Sequence, residues 1–149
     1  DARNDWSNHV TFVEWPHPYG AVPVAWLANW SEEEIAAGDA DDIDIATEYL
    51  LNTDPTKDTV CALEIVAVNA TGDNEISITV RLTRDEAGKL GDINGTLWLY
   101  GTTDIVNVPF APIAGQAVSG ADFGAQGDQH TYTFGNLDAA RMYYKAVIR

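Results

Sequence analysis

From residue 59 onward the chain alternates apolar and polar residues with a period of two, the pattern of a β-strand with one buried face. The clearest case is the segment 76–82, where Ile76, Ile78, Val80 and Leu82 alternate with polar residues. A turn-forming stretch, Thr-Gly-Asp-Asn at 71–74, precedes it and predicts a hairpin. Further strands are predicted over residues 60–68, 96–100, 116–118, 131–134 and 143–148.

The preceding region, residues 24–55, has helical spacing instead. Ser31 followed by Glu34 fits a capping box, and Gly38 is placed to end that helix. A second helix is predicted over about residues 43–51, with Asp41 or Asp42 as its N-cap. The Asn-Thr-Asp-Pro stretch at 52–55 closes it.

Short helices followed by at least five strands joined by turns predict a mainly β protein. We expect an antiparallel β-sandwich with a small N-terminal helical subdomain, in one module spanning residues 1–149. Within it, residues 1–25 form an extended aromatic segment, residues 24–55 hold the helices, and residues 59–149 form the sandwich. Trp26 and Trp30 are four residues apart, which places them on one helix face and predicts core packing.

The strand at 95–101 carries the most direct indication of function, because both of its alternating sets contain large apolar residues. Leu97 and Leu99 point one way, while Thr96, Trp98 and Tyr100 point the other. If the leucines face the core, two aromatic rings stand side by side on the outer face, about 6.5–7 Å apart along the strand. That spacing is similar to the repeat of a β-linked glycan, whose sugar rings stack on aromatic faces. The alternative is a strand buried on both faces.

Other residues are candidates to join this ligand-binding site. Thr79 and Arg81 lie on the polar face of the 76–82 strand, and they would donate hydrogen bonds if that strand pairs beside the aromatic one. A second aromatic cluster lies in the proline-rich segment near the N-terminus. It either folds over the sheet or lines a groove, and its members are Trp6, Trp15, His17 and Tyr19.

An acidic stretch between the two predicted helices is a candidate calcium site. Alternating carboxylates supply the oxygen ligands that Ca²⁺ prefers. The candidate ligands are Asp39, Asp41, Asp42, Asp44 and Glu48. Against this, the stretch lacks the spacing and the central glycine of an EF-hand loop, and helix capping within a solvated acidic loop explains most of it.

Composition narrows the possible partners. The chain of 149 residues has 23 acidic and 8 basic residues, a net charge of −15, which argues against binding nucleic acid or an anionic membrane. The sequence gives little evidence for catalysis, since the three histidines are scattered and no nucleophile or nucleotide-binding motif occurs. We therefore expect a non-catalytic protein with neutral or cationic partners.

Four segments resemble a C-terminal module of large secreted proteins from gut and rumen bacteria of the Verrucomicrobia, Lentisphaerae and Kiritimatiellae type. They are VPVAWL at 22–27, ATEYLLNTDPT at 46–56, LYGTTDI at 99–105 and MYYKAVI at 142–148. Such modules often follow polysaccharide-degrading domains. The resemblance implies an ancillary, carbohydrate-binding module, secreted or at the bacterial cell surface. Trp98 and Tyr100 depart from the family pattern, in which these positions are typically polar.

Taken together, the sequence predicts a monomeric carbohydrate-binding module that holds a glycan-degrading enzyme on a neutral plant polysaccharide of the β-glucan, xylan or mannan class. Its other partner would be the parent catalytic domain in the same chain. The start at Asp1, without methionine, fits a module excised from a longer protein. The competing hypothesis is a structural, anchoring or protein-docking module without glycan affinity.

Overall fold

The computed structural model describes residues 22–38, 43–72, 75–135 and 143–149. The chain divides into two units. The described residues up to Val60 belong to the first, together with Arg84–Gly91, and Cys61–Thr83 and the described part of Asp92–Arg149 belong to the second.

The described residues form four short helices and seven strands, so the expected mainly β class is confirmed. The helices are α1 (Val24–Leu27), α2 (Glu32–Ala37), α3 (Ile45–Leu51) and α4 (Gly120–Ala125). The strands are β1 (Cys61–Gly72), β2 (Glu75–Arg84), β3 (Thr96–Thr102), β4 (Ala111–Pro112), β5 (Val118–Ser119), β6 (Gln129–Gly135) and β7 (Tyr143–Ile148). None of the described helices has the length and apolar character that crossing a membrane requires.

The capping box predicted for α2 is confirmed. Ser31 Oγ accepts a hydrogen bond from the Glu34 amide at 3.1 Å, and the Glu34 carboxylate accepts one from the Ser31 amide at 2.7 Å. Gly38 ends the helix with a φ of 63°, a left-handed conformation that glycine adopts without a steric penalty. Local chemistry therefore sets both ends of α2.

Helix α3 begins later than predicted, and its N-cap was assigned to the wrong residue. Asp44, rather than Asp41 or Asp42, caps it by accepting a hydrogen bond from the Thr47 amide at 2.8 Å. Ile45 is then the first helical residue, since the cap lies immediately before it. The predicted closure is confirmed, because Asn52 ends α3 in a left-handed conformation.

The helices of the first unit pack around a small apolar core of Val22, Leu27, Trp30 and Ile35. Trp26 and Trp30 are in contact, with ring centres 4.8 Å apart, but they do not share a helix, because α1 ends at Leu27. The Trp26 indole is partly buried against this core and donates its N–H to Asn52 Oδ1 at 3.2 Å.

The strands of the second unit form two antiparallel sheets. The first has the order β1-β2-β6, so both edges of β2 are occupied. In the second, β3 is central. β7 pairs with β3 along residues 97–102, and the short strands β4 and β5 also pair with it.

Both sheets of the second unit contain buried apolar residues. Leu97 and Leu99 of β3 are fully buried, as are Ile78 and Val80 of β2. The strand predicted at 76–82 is present: its apolar positions are all buried, Thr79 and Arg81 are not, and Ser77 is buried as well. Side chains from the two sheets meet, since the rings of Phe134 on β6 and Tyr144 on β7 lie 6.1 Å apart.

The segment between β4 and β6 differs most from the prediction. The strand expected at 116–118 is only Val118–Ser119, and α4 follows it at once, capped by Ser119 Oγ, which accepts a hydrogen bond from the Asp122 amide. Two glycines in six residues concealed this helix, because glycine lowers helix propensity. Gly120 is needed because its Cα lies against the Ile93 carbonyl, with no space for a β-carbon.

Gly120→Ala is therefore expected to destabilise the protein by about 1–3 kcal/mol, because the added methyl group collides with the Ile93 backbone. The matched control is Gly72→Ala, where the nearest atom is 4.0 Å from the added carbon. Urea unfolding of both variants measures the difference. Equal stabilities would show that α4 does not depend on this close approach.

Candidate functional site

The outer face of β3 carries the two aromatic residues that the sequence singled out. Leu97 and Leu99 are 0% exposed and face the core, so Thr96, Trp98 and Tyr100 point away from it. These three side chains are half-buried rather than enclosed. The strand therefore has one buried face and one face that solvent reaches.

The register of β7 against β3 brings two cations to the same outer face. Tyr100 is directly opposite Lys145, and Trp98 is directly opposite Val147. Beyond the strand, Arg149 and Thr96 exchange backbone hydrogen bonds of 2.8 and 3.0 Å. Because directly opposite residues point to the same side of a sheet, Lys145 and Arg149 share the face of Trp98 and Tyr100.

These cations lie between the aromatic rings. The Arg149 guanidinium carbon is 4.2 Å from the centre of the Trp98 ring and 5.7 Å from that of Tyr100. Lys145 Nζ is 5.5 Å from the Tyr100 ring and 5.0 Å from the Phe110 ring. We call these five residues, Trp98, Arg149, Tyr100, Lys145 and Phe110, the cation–aromatic row.

The row combines apolar ring faces with positive charge. Both cations are exposed, and neither has a carboxylate partner within ion-pair distance among the described residues. A cation–π contact at an exposed position contributes only about 0.5–1 kcal/mol, so a ligand can displace Arg149 from the Trp98 ring at small cost. The row can therefore receive a flat, partly apolar molecule.

Sequence reasoning did not identify Lys145, Arg149 or Phe110 as part of this site. The alternation in YYKAVIR, residues 143–149, indicates that Tyr143, Lys145 and Arg149 share a face. It does not indicate which strand lies beside them. Phe110 lies in a loop outside any strand, so no periodicity marks it.

Thr79 and Arg81 do not join the row. The expectation that their strand pairs beside β3 was wrong, because β1 and β6 already occupy both edges of β2. Thr79 Oγ1 instead lies 2.9 Å from Thr131 Oγ1 of β6. Arg81 faces Glu64 of β1, with an N–O distance of 3.7 Å.

Several candidates lie outside the described residues. These are the aromatic cluster Trp6, Trp15, His17 and Tyr19, and the acidic residues Asp39, Asp41 and Asp42. Of the remaining calcium candidates, Asp44 caps α3 and Glu48 is 2% exposed within it. Among the residues that the structure describes, no group of three potential metal ligands comes together.

A cleft of about 500 Å³ lies beside α4. Gln126 orients His130 there: its amide nitrogen donates to the Asp122 carbonyl, which leaves Oε1 to accept from His130 Nδ1 at 2.8 Å. Burial lowers the pKa of the His130 imidazole, which favours its neutral form. The Nε2 atom is then a hydrogen-bond acceptor.

Tyr132 lines the same cleft and stacks edge-on against His130, with ring centres 4.5 Å apart. The side chain is 2% exposed, and within the described part of the chain its hydroxyl has no hydrogen-bond partner. Burial raises the pKa of the Tyr132 phenol to about 12. A buried hydroxyl without a partner lowers stability.

Comparisons with known proteins give no relative for this chain: no family model, no curated protein and no solved structure matches it.

Tyr132→Phe is expected to stabilise the protein by about 1 kcal/mol at pH 7, because it removes a buried hydroxyl without a partner. Burial raises the pKa of the phenol from 10 in the unfolded chain to about 12 in the folded protein. Ionisation therefore leaves the stability of the wild type unchanged below pH 10 and lowers it as the pH rises from 10 to 12. The variant should lose less stability over that interval. Urea unfolding at pH 7, 10 and 11 tests this, and parallel pH profiles would contradict it.

Proposed function

We propose that this protein is a non-catalytic carbohydrate-binding module that holds a secreted glycan-degrading enzyme on a plant polysaccharide. The observation that carries the proposal is the outward, half-exposed face of β3, on which Trp98 and Tyr100 stand two residues apart. The partner class is a β-linked polysaccharide with a neutral pyranose main chain, such as a β-glucan, xylan or mannan. The resemblance to ancillary modules of secreted bacterial enzymes supports the same class.

The binding mechanism is stacking. Positions two apart on a strand are about 6.5–7 Å apart, so successive sugar rings can contact the Trp98 and Tyr100 rings in turn. Thr96, half-buried on the same face, offers a hydroxyl for hydrogen bonding. The Arg149 guanidinium now over Trp98 moves aside as a sugar enters, and its donors then become available to sugar oxygens.

Such a face needs a rigid support, and we infer that the two sheets form a β-sandwich beneath it. The fully buried leucines of β3 and the Phe134–Tyr144 contact between the sheets support this arrangement. The three helices before β1 would form the helical subdomain, around the Leu27 and Trp30 core. A rigid support lowers the entropic cost of binding, because the aromatic rings are already fixed in place before the ligand arrives.

A docking module is the second candidate, and one observation favours it. After β3, the Asp104 carboxylate holds a tight turn. It accepts hydrogen bonds from the Asn107 side-chain amide and from the Asn107 and Val106 backbone amides, and these lower its pKa. The apolar side chains of this turn, Ile105, Val106 and Val108, are 57%, 83% and 44% exposed. A neighbouring domain of the same protein, such as the parent catalytic domain, could cover them.

Trp98→Ala is expected to weaken binding to xylan or β-glucan by at least about tenfold, because it removes the largest stacking surface. Trp98→Phe, which keeps an aromatic ring, should retain most of the affinity. Affinity gel electrophoresis with soluble β-glucan, xylan and mannan measures both, and the wild type should bind with a Kd between about 1 μM and 1 mM.

Val66→Ala is the matched control, since Val66 is 40% exposed on β1 of the other sheet. It should migrate as the wild type does in every gel, and circular dichroism checks that each variant is folded. If none of the glycans retards the wild type, glycan binding is contradicted and docking to a neighbouring domain becomes the better-supported function.

A further inference from the structure

We propose that the glycan bound by the cation–aromatic row carries carboxylates, as uronic acid substituents spaced along an otherwise neutral main chain. This rests on the proposed function, because the same face does the stacking. It adds a chemical class to the ligand: the rings contact the main chain, and Lys145 and Arg149 bind the acidic side groups.

The placement of positive charge is the first argument. Lys and Arg together number eight, against 23 Asp and Glu, yet two of the eight stand on this face. With acidic residues so abundant, a surface cation readily acquires a carboxylate neighbour, as Arg81 does with Glu64 and Lys57 with Asp54. In the described chain neither Lys145 nor Arg149 has one.

Geometry is the second argument. Both cations lie over the Tyr100 ring, Lys145 Nζ at 5.5 Å and the Arg149 guanidinium carbon at 5.7 Å from its centre. A sugar that stacks on Tyr100 would displace these exposed cations from the ring, and both would remain within reach of the substituents of that sugar. The Arg149 guanidinium presents a planar fork that can bind a carboxylate through two parallel hydrogen bonds, and the Lys145 ammonium acts as a point charge.

The net charge limits how acidic the ligand can be. A chain of net charge −15 repels a polymer that is charged at every sugar. Scattered acidic substituents avoid most of this repulsion while still reaching the two local cations. The ligand class is therefore a neutral β-linked main chain with sparse uronic acid side groups, rather than a polyuronate.

The test compares glucuronoxylan with the same polymer after chemical reduction of its carboxyl groups, which removes the charge and leaves the main chain intact. By isothermal titration, the wild type should bind the native polymer about tenfold more tightly than the reduced one. Raising the salt concentration to about 0.5 M should remove most of that preference, because salt screens exposed charges.

Charge-neutral and charge-retaining variants assign the effect to the row. Lys145→Gln and Arg149→Gln should each weaken binding of the native polymer by about threefold, and the double variant should bind both polymers alike. Lys145→Arg and Arg149→Lys keep the charge and should retain most of the preference. Circular dichroism checks that the double variant is folded. Trp98→Ala should weaken binding of both polymers, which distinguishes loss of stacking from loss of charge recognition.

The outcomes separate the two proposals. Equal wild-type affinity for native and reduced polymer would overturn the acidic-ligand proposal and leave glycan binding supported. A preference that persists in the double variant would also overturn it, because the charge recognition would then lie elsewhere. Absence of binding to either xylan would overturn the acidic-ligand proposal, and absence of binding to β-glucan and mannan as well would overturn glycan binding.

Discussion

Burial of Leu97 and Leu99 is the constraint on which the rest of the second unit depends. Because the side chains of a strand alternate, fixing these two leucines in the core fixes Trp98 and Tyr100 on the opposite face. A slip of one residue would expose the leucines and bury the aromatic pair, so the cost of exposing two leucines holds the register. The position of the aromatic rings is thus a direct consequence of core packing, and β3 is central, with strands paired along it.

Pairing with β7 changes the chemistry of that outer face. The aromatic residues come from β3, whereas Lys145 and Arg149 come from the end of the chain, more than 40 residues later. Their cation–π contacts partly cover the rings and help to explain how large aromatics are tolerated at half-exposed positions. The same contacts keep positive charge on one face of a strongly acidic chain, and this combination is the basis for the proposal that its ligand is a sugar chain with scattered acidic groups.

Local patterns predicted much of the architecture. The capping box at Ser31 and the alternation at 76–82 both appear in the structure, because each involves residues only two or three apart. The predictions that failed involved competing local or distant interactions. Asp44 caps α3, in place of the predicted Asp41 or Asp42. Helix α4 forms despite the low helix propensity of glycine, because Gly120 fits closely against the Ile93 carbonyl.

The sequence by itself determined which residues share a face of each strand, where α2 begins and ends, and where α3 ends, because backbone periodicity and capping are short-range properties. It was enough to single out Trp98 and Tyr100. Only the tertiary structure decided which strands are neighbours, since pairing joins segments far apart in the chain through their common core. That pairing placed Thr79 and Arg81 in the other sheet and brought Lys145 and Arg149 beside the aromatic rings.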